Sequence, residues 1–343
     1  SSDEYVDNMA PESSQKNTKF KNLPSDIEKL RILRKKFGNK LIIGNLNINS
    51  ISNKFDHLKL IVQCQVVILV ITETKIDNSF LSNQFLISGF SKPFRLDRNR
   101  RGGGILLYIR EDIPCKDLLL HNLPDDIEGM FVEINLRKKK WLLFASYHPP
   151  SQSDDYYFKC VSNALDRYNQ NYDKFLLIGD FNCEDSDAIL HEFLNQYDSQ
   201  NIVKEFTCYK SQNNPSCIDL FITNSPKSFM GTTTLCTGLS DFHKMVVTVM
   251  KSSFEKMSPK EISYRNYKNL DNNVFKLELS EVLSNNVCSY KSFEENFLKV
   301  LDKNAPLKKK IIRANHAPYM TKNLRKAIMK RSELKTKYVK ENS

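Results

Sequence analysis

Lys174-Phe-Leu-Leu-Ile-Gly-Asp180-Phe-Asn182 sets a carboxylate and an amide two residues apart, directly after an apolar run of strand length. Alternation along an extended chain turns Asp180 and Asn182 to the same side. At the mouth of a buried strand, such a pair can position a water, a phosphate oxygen or a hydrated cation. The same letters also spell an Asp/Asn turn, so the stretch gains its meaning from similar ones elsewhere. Asn47 closes Lys40-Leu-Ile-Ile-Gly-Asn-Leu-Asn47, and Glu73 follows the apolar run Val66–Ile71 as a candidate cation ligand. Tyr147 and His148 stand where Pro149 and Pro150 stop a strand. Asp219 interrupts an apolar run, and a buried carboxylate there needs a partner. Ser240-Asp241-Phe242-His243 offers one, because a histidine beside a strand-end Asp can form a carboxylate dyad. Arg98, Arg100 and Arg101 adjoin Gly102-Gly103-Gly104 and form a candidate phosphate-contact patch, or equally a solvated charged loop. No Gly-Lys-Ser/Thr follows those glycines, so they are not a Walker loop.

The elements that must hold these residues alternate. Strands are expected at 40–47, 66–71, 105–110, 130–135, 141–147, 175–180, 216–224 and 245–250, with helices near 30–33, 55–61, 156–168 and 187–196 between them. Apolar strands cease after about Ser252. Amphipathic helices are expected near Phe275–Leu283 and Phe293–Leu301, and Lys308–Lys310 leads toward a basic helix from Thr321 to Lys340. Its apolar face, Leu324, Ile328 and Leu334, is thin, which suits a partner domain or a polyanion. Three divisions follow: a polar, partly disordered lead-in over 1–37, a catalytic domain over 38–250, and a basic helical extension over 251–343.

In 343 residues, 51 Lys+Arg against 40 Asp+Glu give a net charge of +11, which favours a polyanionic partner. No apolar run reaches the roughly 20 residues of a membrane span, so no membrane partner is expected. The start lacks a signal-peptide pattern, and eight cysteines without Cys-x-x-Cys suit a reduced, intracellular setting. No nucleophile elbow or zinc-ligand spacing competes, and clusters rich in carboxylates suit a hard cation.

Taken in order, Asn47-Ile-Asn-Ser, Glu73-Thr, Arg-Gly-Gly-Gly, Tyr147-His-Pro-Pro, Gly179-Asp-Phe-Asn182, Ile218-Asp219 and Ser240-Asp241-Phe-His243 resemble the endonuclease/exonuclease/phosphatase superfamily. More narrowly, they resemble the apurinic-endonuclease-like domain of LINE-type (non-LTR) retrotransposons, over residues 38–250. The resemblance implies an α/β (α+β) fold, a four-layered sandwich of two mostly antiparallel sheets with helices outside. It implies a metal-dependent endonuclease that nicks duplex DNA and leaves a 3′-hydroxyl, with Mg²⁺ as cofactor and Mn²⁺ as the alternative ion. The metal ligands would be Glu73, Asp241 and Asn47. Asp180 and Asn182 would activate or position water, Tyr147 would touch phosphate, and Thr207 would lie near it. His243 with Asp219 would form the dyad that stabilises charge on the scissile phosphate. Arg313-Ala-Asn-His-Ala-Pro-Tyr resembles the linker before a reverse transcriptase, so the expected partners include that polymerase domain or retrotransposon RNA in a parent element. No Tyr-x-Asp-Asp motif follows, which suggests an endonuclease unit separated from its polymerase, acting in the nucleus at least transiently.

Two rivals share these features: a phosphomonoesterase or lipid phosphatase on the same scaffold, and a catalytically impaired nucleic-acid-binding remnant. The second draws on one departure from the family pattern, Phe242 between Asp241 and His243. Adjacent residues on a strand point oppositely, so a turn or bulge must absorb Phe242 for His243 to reach the site.

Overall fold

The computed structural model describes residues 26–63, 65–118, 123–136, 139–184, 186–211, 214–253, 260–286, 289–312 and 321–341. Its first sixteen elements run α1 (Asp26–Phe37), β1 (Lys40–Asn47), α2 (Phe55–Val62), β2 (Ile68–Thr72), β3 (Phe94–Leu96), β4 (Ile105–Ile109), β5 (Cys115–Asp117), β6 (Glu128–Leu136), β7 (Lys139–Tyr147), α3 (Asp154–Asn169), β8 (Phe175–Asp180), α4 (Ala188–Gln196), β9 (Gln200–Asn201), β10 (Asp219–Thr223), β11 (Phe229–Leu235) and β12 (Met245–Ser253). They build two six-stranded sheets, ordered β11-β12-β1-β2-β4-β3 and β5-β6-β7-β8-β10-β9. Each sheet holds one parallel pair, β1 with β2 and β7 with β8, among antiparallel neighbours. Parallel strands need a crossover, which α2 and α3 supply.

Side-chain alternation sorts the core into three clusters. Leu41, Ile43, Val70 and Leu107 from the first sheet meet Leu143, Ala145, Ile178 and Phe221 from the second, in the layer between the sheets. Ile42, Leu46 and Ile71 turn the other way, onto Leu30 of α1 and Leu58 and Ile61 of α2. Phe131, Phe144 and Leu177 turn outward onto Tyr157, Val161 and Leu165 of α3 and onto Phe193 of α4. The result is the expected helix–sheet–sheet–helix sandwich. Strands buried on both faces need apolar residues at every position, which explains the unbroken run at Val66–Ile71. Leu30 is fully buried in the first outer layer, so α1 is part of the packed unit and not of the lead-in. Residues 1–25 of that lead-in lie outside the described residues.

The rest of the chain adds β13 (Lys260–Arg265), α5 (Asn272–Asn286), α6 (Tyr290–Asn304), β14 (Leu307–Ile312) and α7 (Lys322–Glu341). The three helices match expectation, but β13 and β14 do not. They pair antiparallel from Lys260 with Ile312 to Arg265 with Leu307. A run such as Leu-Lys-Lys-Lys-Ile-Ile has no apolar–polar alternation to betray it as a strand, and its partner lies more than forty residues away. The linker-like stretch after Ile312 falls on residues 313–320, outside the described residues.

Candidate active site

Strand polarity brings the strand-end residues to one edge. β1 and β2 end together, with Asn47 beside Thr72, and β7 and β8 end together, with Tyr147 beside Asp180. β10 is antiparallel to β8 and so begins where β8 ends, with Asp219 opposite Asp180. The two sheets are then tied across this edge. Asn47 Nδ2 donates to Asp180 Oδ2 at 2.8 Å, and Asn45 Nδ2 reaches Asp219 Oδ1 at 3.5 Å. The Tyr147 hydroxyl donates to Glu73 Oε1.

At the centre, His243 Nδ1 lies 2.8 Å from Asp219 Oδ2. Asp180, Asp219 and His243 each bring a reacting atom within 4.8 Å of the others. Both carboxylates are essentially inaccessible to solvent, at 1% and 0% exposure. Burial and then the charge of Asp219 push Asp180 up to about 7. Burial alone would depress His243, but the charge and hydrogen bond of Asp219 outweigh it and raise the imidazole well above its ordinary value. A cationic His243 thus offsets Asp219, while Asp180 exchanges its proton close to neutral pH.

Thr207 is fully buried, and its Oγ1 accepts from the backbone N–H groups of Ile218 and Asp219, both at 3.1 Å. It fixes the start of β10. Asn182 takes a left-handed backbone, φ 47°, which folds its N–H onto Asp180 Oδ1 at 3.1 Å and sends its Nδ2 to the carbonyl of His148 at 2.7 Å. The Asp/Asn turn and the site are therefore the same feature.

A second group of oxygens lies at the ends of β1 and β2. Glu73 Oε2 is 3.0 Å from Lys75 Nζ, and that ammonium is 2.5 Å from Asn49 Oδ1. Asn49, Ser50, Glu73, Lys75 and Asn182 all have positive φ. Among the described residues, the one other non-glycine residue with positive φ is Asp198. Each such residue costs on the order of 1–3 kcal/mol and persists only where packing over-determines it. A donor set of carboxylate and amide oxygens suits a hard divalent ion. The lodging of Lys75 shows that this mouth accommodates positive charge. Asn45 Oδ1 of β1, Thr72 Oγ1 of β2 and Thr74 Oγ1 just after it are buried and have no hydrogen-bond partner. The chemistry of these donors therefore fits a hard cation.

Tyr147 is kept protonated by burial and by its bond to Glu73, both of which raise its pKa. Arg98 lies over its ring, 5.7 Å from the centroid, and pairs with buried Glu128 at 2.7 Å. Glu128 in turn accepts from the N–H of Gly104 at 2.7 Å. Arg98 is thus engaged behind Tyr147. Arg100 is exposed and bound to Asp77 and Ser79, and Arg101 is exposed. Asp241 is half exposed, and its Oδ1 binds Lys335 Nζ at 2.8 Å.

The extra residue in Asp241-Phe242-His243 is absorbed by a bend. Ser240 Oγ accepts from His243 N at 3.3 Å, the Phe242 carbonyl accepts from Tyr209 N at 2.9 Å, and Lys244 N donates to Thr207 O at 2.8 Å. Phe242 is left 44% exposed, and His243 turns inward.

Residues passed over in the sequence also line this region: Asn45, Asn49, Lys75, Glu128 and Cys208, whose Sγ is 3.6 Å from His243 Nε2. Lys75 had a readable signal, an opposite charge two residues from Glu73. The others depend on which strands become neighbours.

No curated protein matches this chain. Among solved structures, it resembles a 3′-5′ exonuclease (NExo) from Neisseria meningitidis, with 15% identity and a TM-score of 0.48 over 61% of this chain and 99% of that one. It also resembles the AP endonuclease LMAP from Leishmania major, at 13% identity and a TM-score of 0.49 over 62% and 88%. The endonuclease domain of TRAS1, a telomere-specific non-LTR retrotransposon, matches at 14% and 0.48 over 62% and 99%. The family model described as Endonuclease/Exonuclease/phosphatase family matches residues 44–241, more than half of the sequence, and ends two residues before His243. The chain belongs to the Endonuclease/Exonuclease/phosphatase family.

Proposed function

We propose that the protein is a divalent-metal-dependent endonuclease that hydrolyses one phosphodiester of duplex DNA and leaves a 3′-hydroxyl, as LINE-type retrotransposon endonucleases do. The observation that carries this is the buried Asp180–Asp219–His243 cluster facing the Glu73–Tyr147 pair across two sheet edges. A proton acceptor poised at about 7 beside a fixed cation is what attack of water on a phosphodiester requires. Asp180 accepts a proton from the attacking water, held in aim by Asn47 and the Asn182 N–H. His243, kept charged by Asp219, stabilises charge on the phosphate, and Tyr147 donates to a phosphate oxygen. A Mg²⁺ or Mn²⁺ ion held by Glu73 and Asn47 supplies Lewis-acid polarisation of the phosphate when bound. Asp241, which the resemblance places in the same ligand set, is bound by Lys335.

The net charge of +11 supports DNA as the partner. The order of motifs, including the variant Asp241-Phe-His243, supports a retrotransposon parent, with residues 251–343 leading to a reverse transcriptase and a site of action in the nucleus. Conversion of supercoiled plasmid to open circle tests the assignment. Nicking is expected with Mg²⁺ and not with EDTA. It should fall by about 100-fold or more in Asp180→Ala and His243→Ala, as for loss of a general base or charge stabiliser. The nick should be extended directly by a DNA polymerase. Retained activity in folded Asp180→Ala protein would refute the roles, and turnover of small phosphate esters without nicking would assign a phosphatase instead.

A further inference from the structure

α7 carries eight Lys or Arg and two Glu along its 20 residues. A helix so charged, with so thin an apolar face, has little reason to pack on a basic protein, yet it is docked. Met329 packs against the core cluster formed by the first sheet, α1 and α2. Lys335 Nζ binds Asp241 Oδ1 at 2.8 Å, beside the bend that delivers His243. That contact, a hydrogen bond first and a charge second, holds Asp241 below the usual carboxylate range.

The surroundings of the contact are cationic. Lys54 Nζ sits on the carbonyls of Ile48 and Asn49 at 2.7 and 2.8 Å. Burial depresses its pKa, Asp241 opposes this, and Lys335, Lys75 and Arg331 add to it. His57 of α2 is pushed down to about 4, first by burial and then by Arg331 and Lys335. Lys54 lies within electrostatic reach of Lys75, Lys335 and Arg331, so positive charge links the mouth at Glu73 to α7. Two carboxylates, Glu73 on Lys75 and Asp241 on Lys335, are set among these four cations. Cations gathered at the rim of a catalytic edge repel one another unless an anion lies along them. Arg331, one turn before Lys335 on α7, is exposed, as is the adjoining Lys330.

We propose that α7 is one wall of the groove that receives duplex DNA: anchored through Lys335 and Asp241 at the rim of the active site, it presents Lys330 and Arg331 to the phosphate backbone beyond the scissile position. The proposal rests on the endonuclease assignment for where the scissile phosphate lies. Its own support is the continuity of charge from the site onto the helix. Contacts of this kind go to phosphates and set position without reading sequence.

The test is fluorescence anisotropy of a labelled duplex with the full-length chain in EDTA, across a series of KCl concentrations. The double variant Lys330→Gln/Arg331→Gln should bind more weakly, by the same factor on unrelated sequences. Its slope of log affinity against log salt should be shallower by about 2, near one unit per lost phosphate contact. The matched variant Lys159→Gln/Arg167→Gln removes the same charge from α3, on the opposite outer layer, and should keep the wild-type slope. Unchanged melting temperatures confirm that the variants are folded. An unchanged slope in the α7 variant overturns the proposal. So does tighter binding, which would make α7 a cover over the groove, and so does a loss confined to single-stranded RNA. Plasmid nicking on the same preparations separates the two ideas. Wild-type protein that binds but does not nick refutes the endonuclease while a shallower variant slope still supports the wall. Nicking with an unchanged variant slope refutes the wall alone.

Discussion

Asp180 is where function and stability oppose each other at the scale of one residue. Its folded pKa of about 7 lies above the ordinary value of 3.8. A raised carboxyl pKa means that the folded chain binds more protons than the unfolded one between those values. The contribution is favourable below pH 3.8 and is lost as the pH rises through about 7. Above that point the buried charge is a cost, and Asp180→Asn removes it while keeping an oxygen for the Asn47 amide. In EDTA, Asp180→Asn is expected to melt higher than wild type at pH 8, by roughly 3–6 °C, with the gain shrinking toward pH 5. Nicking should be abolished throughout. A variant no more stable than wild type at pH 8 would show that Asp180 carries no such strain. Asp180, Asn182 and Asp219 were legible in the sequence because each breaks an apolar run at a strand terminus. Lys335 as partner of Asp241 was not, because 94 residues separate them.

The critical element is the parallel pair β7–β8, which sets Tyr147 beside Asp180. Its register depends on Gly179, because a Cβ there would stand 1.8 Å from the carbonyl oxygen of Ser146. Backbone at that distance cannot yield as a flexible side chain would. Gly179→Ala should therefore part the two strands and cost more than about 3 kcal/mol, in the range of severe core overpacking. The expected observation is a melting temperature lowered by roughly 10 °C, or insoluble protein, with lost nicking. A melting curve like that of wild type would show that the close approach is not structural. The buried strands and their crossover helices were visible as apolar runs and helical periods. β11, with its Gly-Thr-Thr-Thr centre, and the lysine-rich β14 were not, because their strand character comes from a partner and not from their own pattern.

At the scale of the molecule, α7 and the catalytic sandwich meet over His57. This imidazole is buried in α2 and is pushed down to about 4 by that burial and by Arg331 and Lys335. The unfolded chain therefore takes up a proton, as the pH falls below 6.5, that the folded chain refuses until about 4. Stability is fully present above pH 6.5 and is lost as the pH falls through that window, at up to about 1.4 kcal/mol per pH unit. Urea denaturation at pH 7.0 and pH 5.0 should show this loss in wild-type protein and a smaller one in His57→Gln. Equal losses would place the acid sensitivity elsewhere. The same docking makes residues 251–343 more than an appendage, since α7 reaches back to the bend at Asp241.

From the sequence alone, the chemistry of each strand end could be stated: carboxylates, amides, a tyrosine and a histidine at the ends of buried strands, in an order that resembles one nuclease family. Local pattern suffices for this, because a polar residue that ends an apolar run is marked by its neighbours in the chain. The tertiary structure decided the partnerships. Asp219 holds His243 while Lys335 takes Asp241, Thr207 and Arg98 brace other site residues, Phe242 turns out to solvent, and α7 returns to the rim. Each of these contacts joins segments distant in sequence. They exist only once two sheets with parallel central strands stack face to face, and no local period or spacing encodes that stacking.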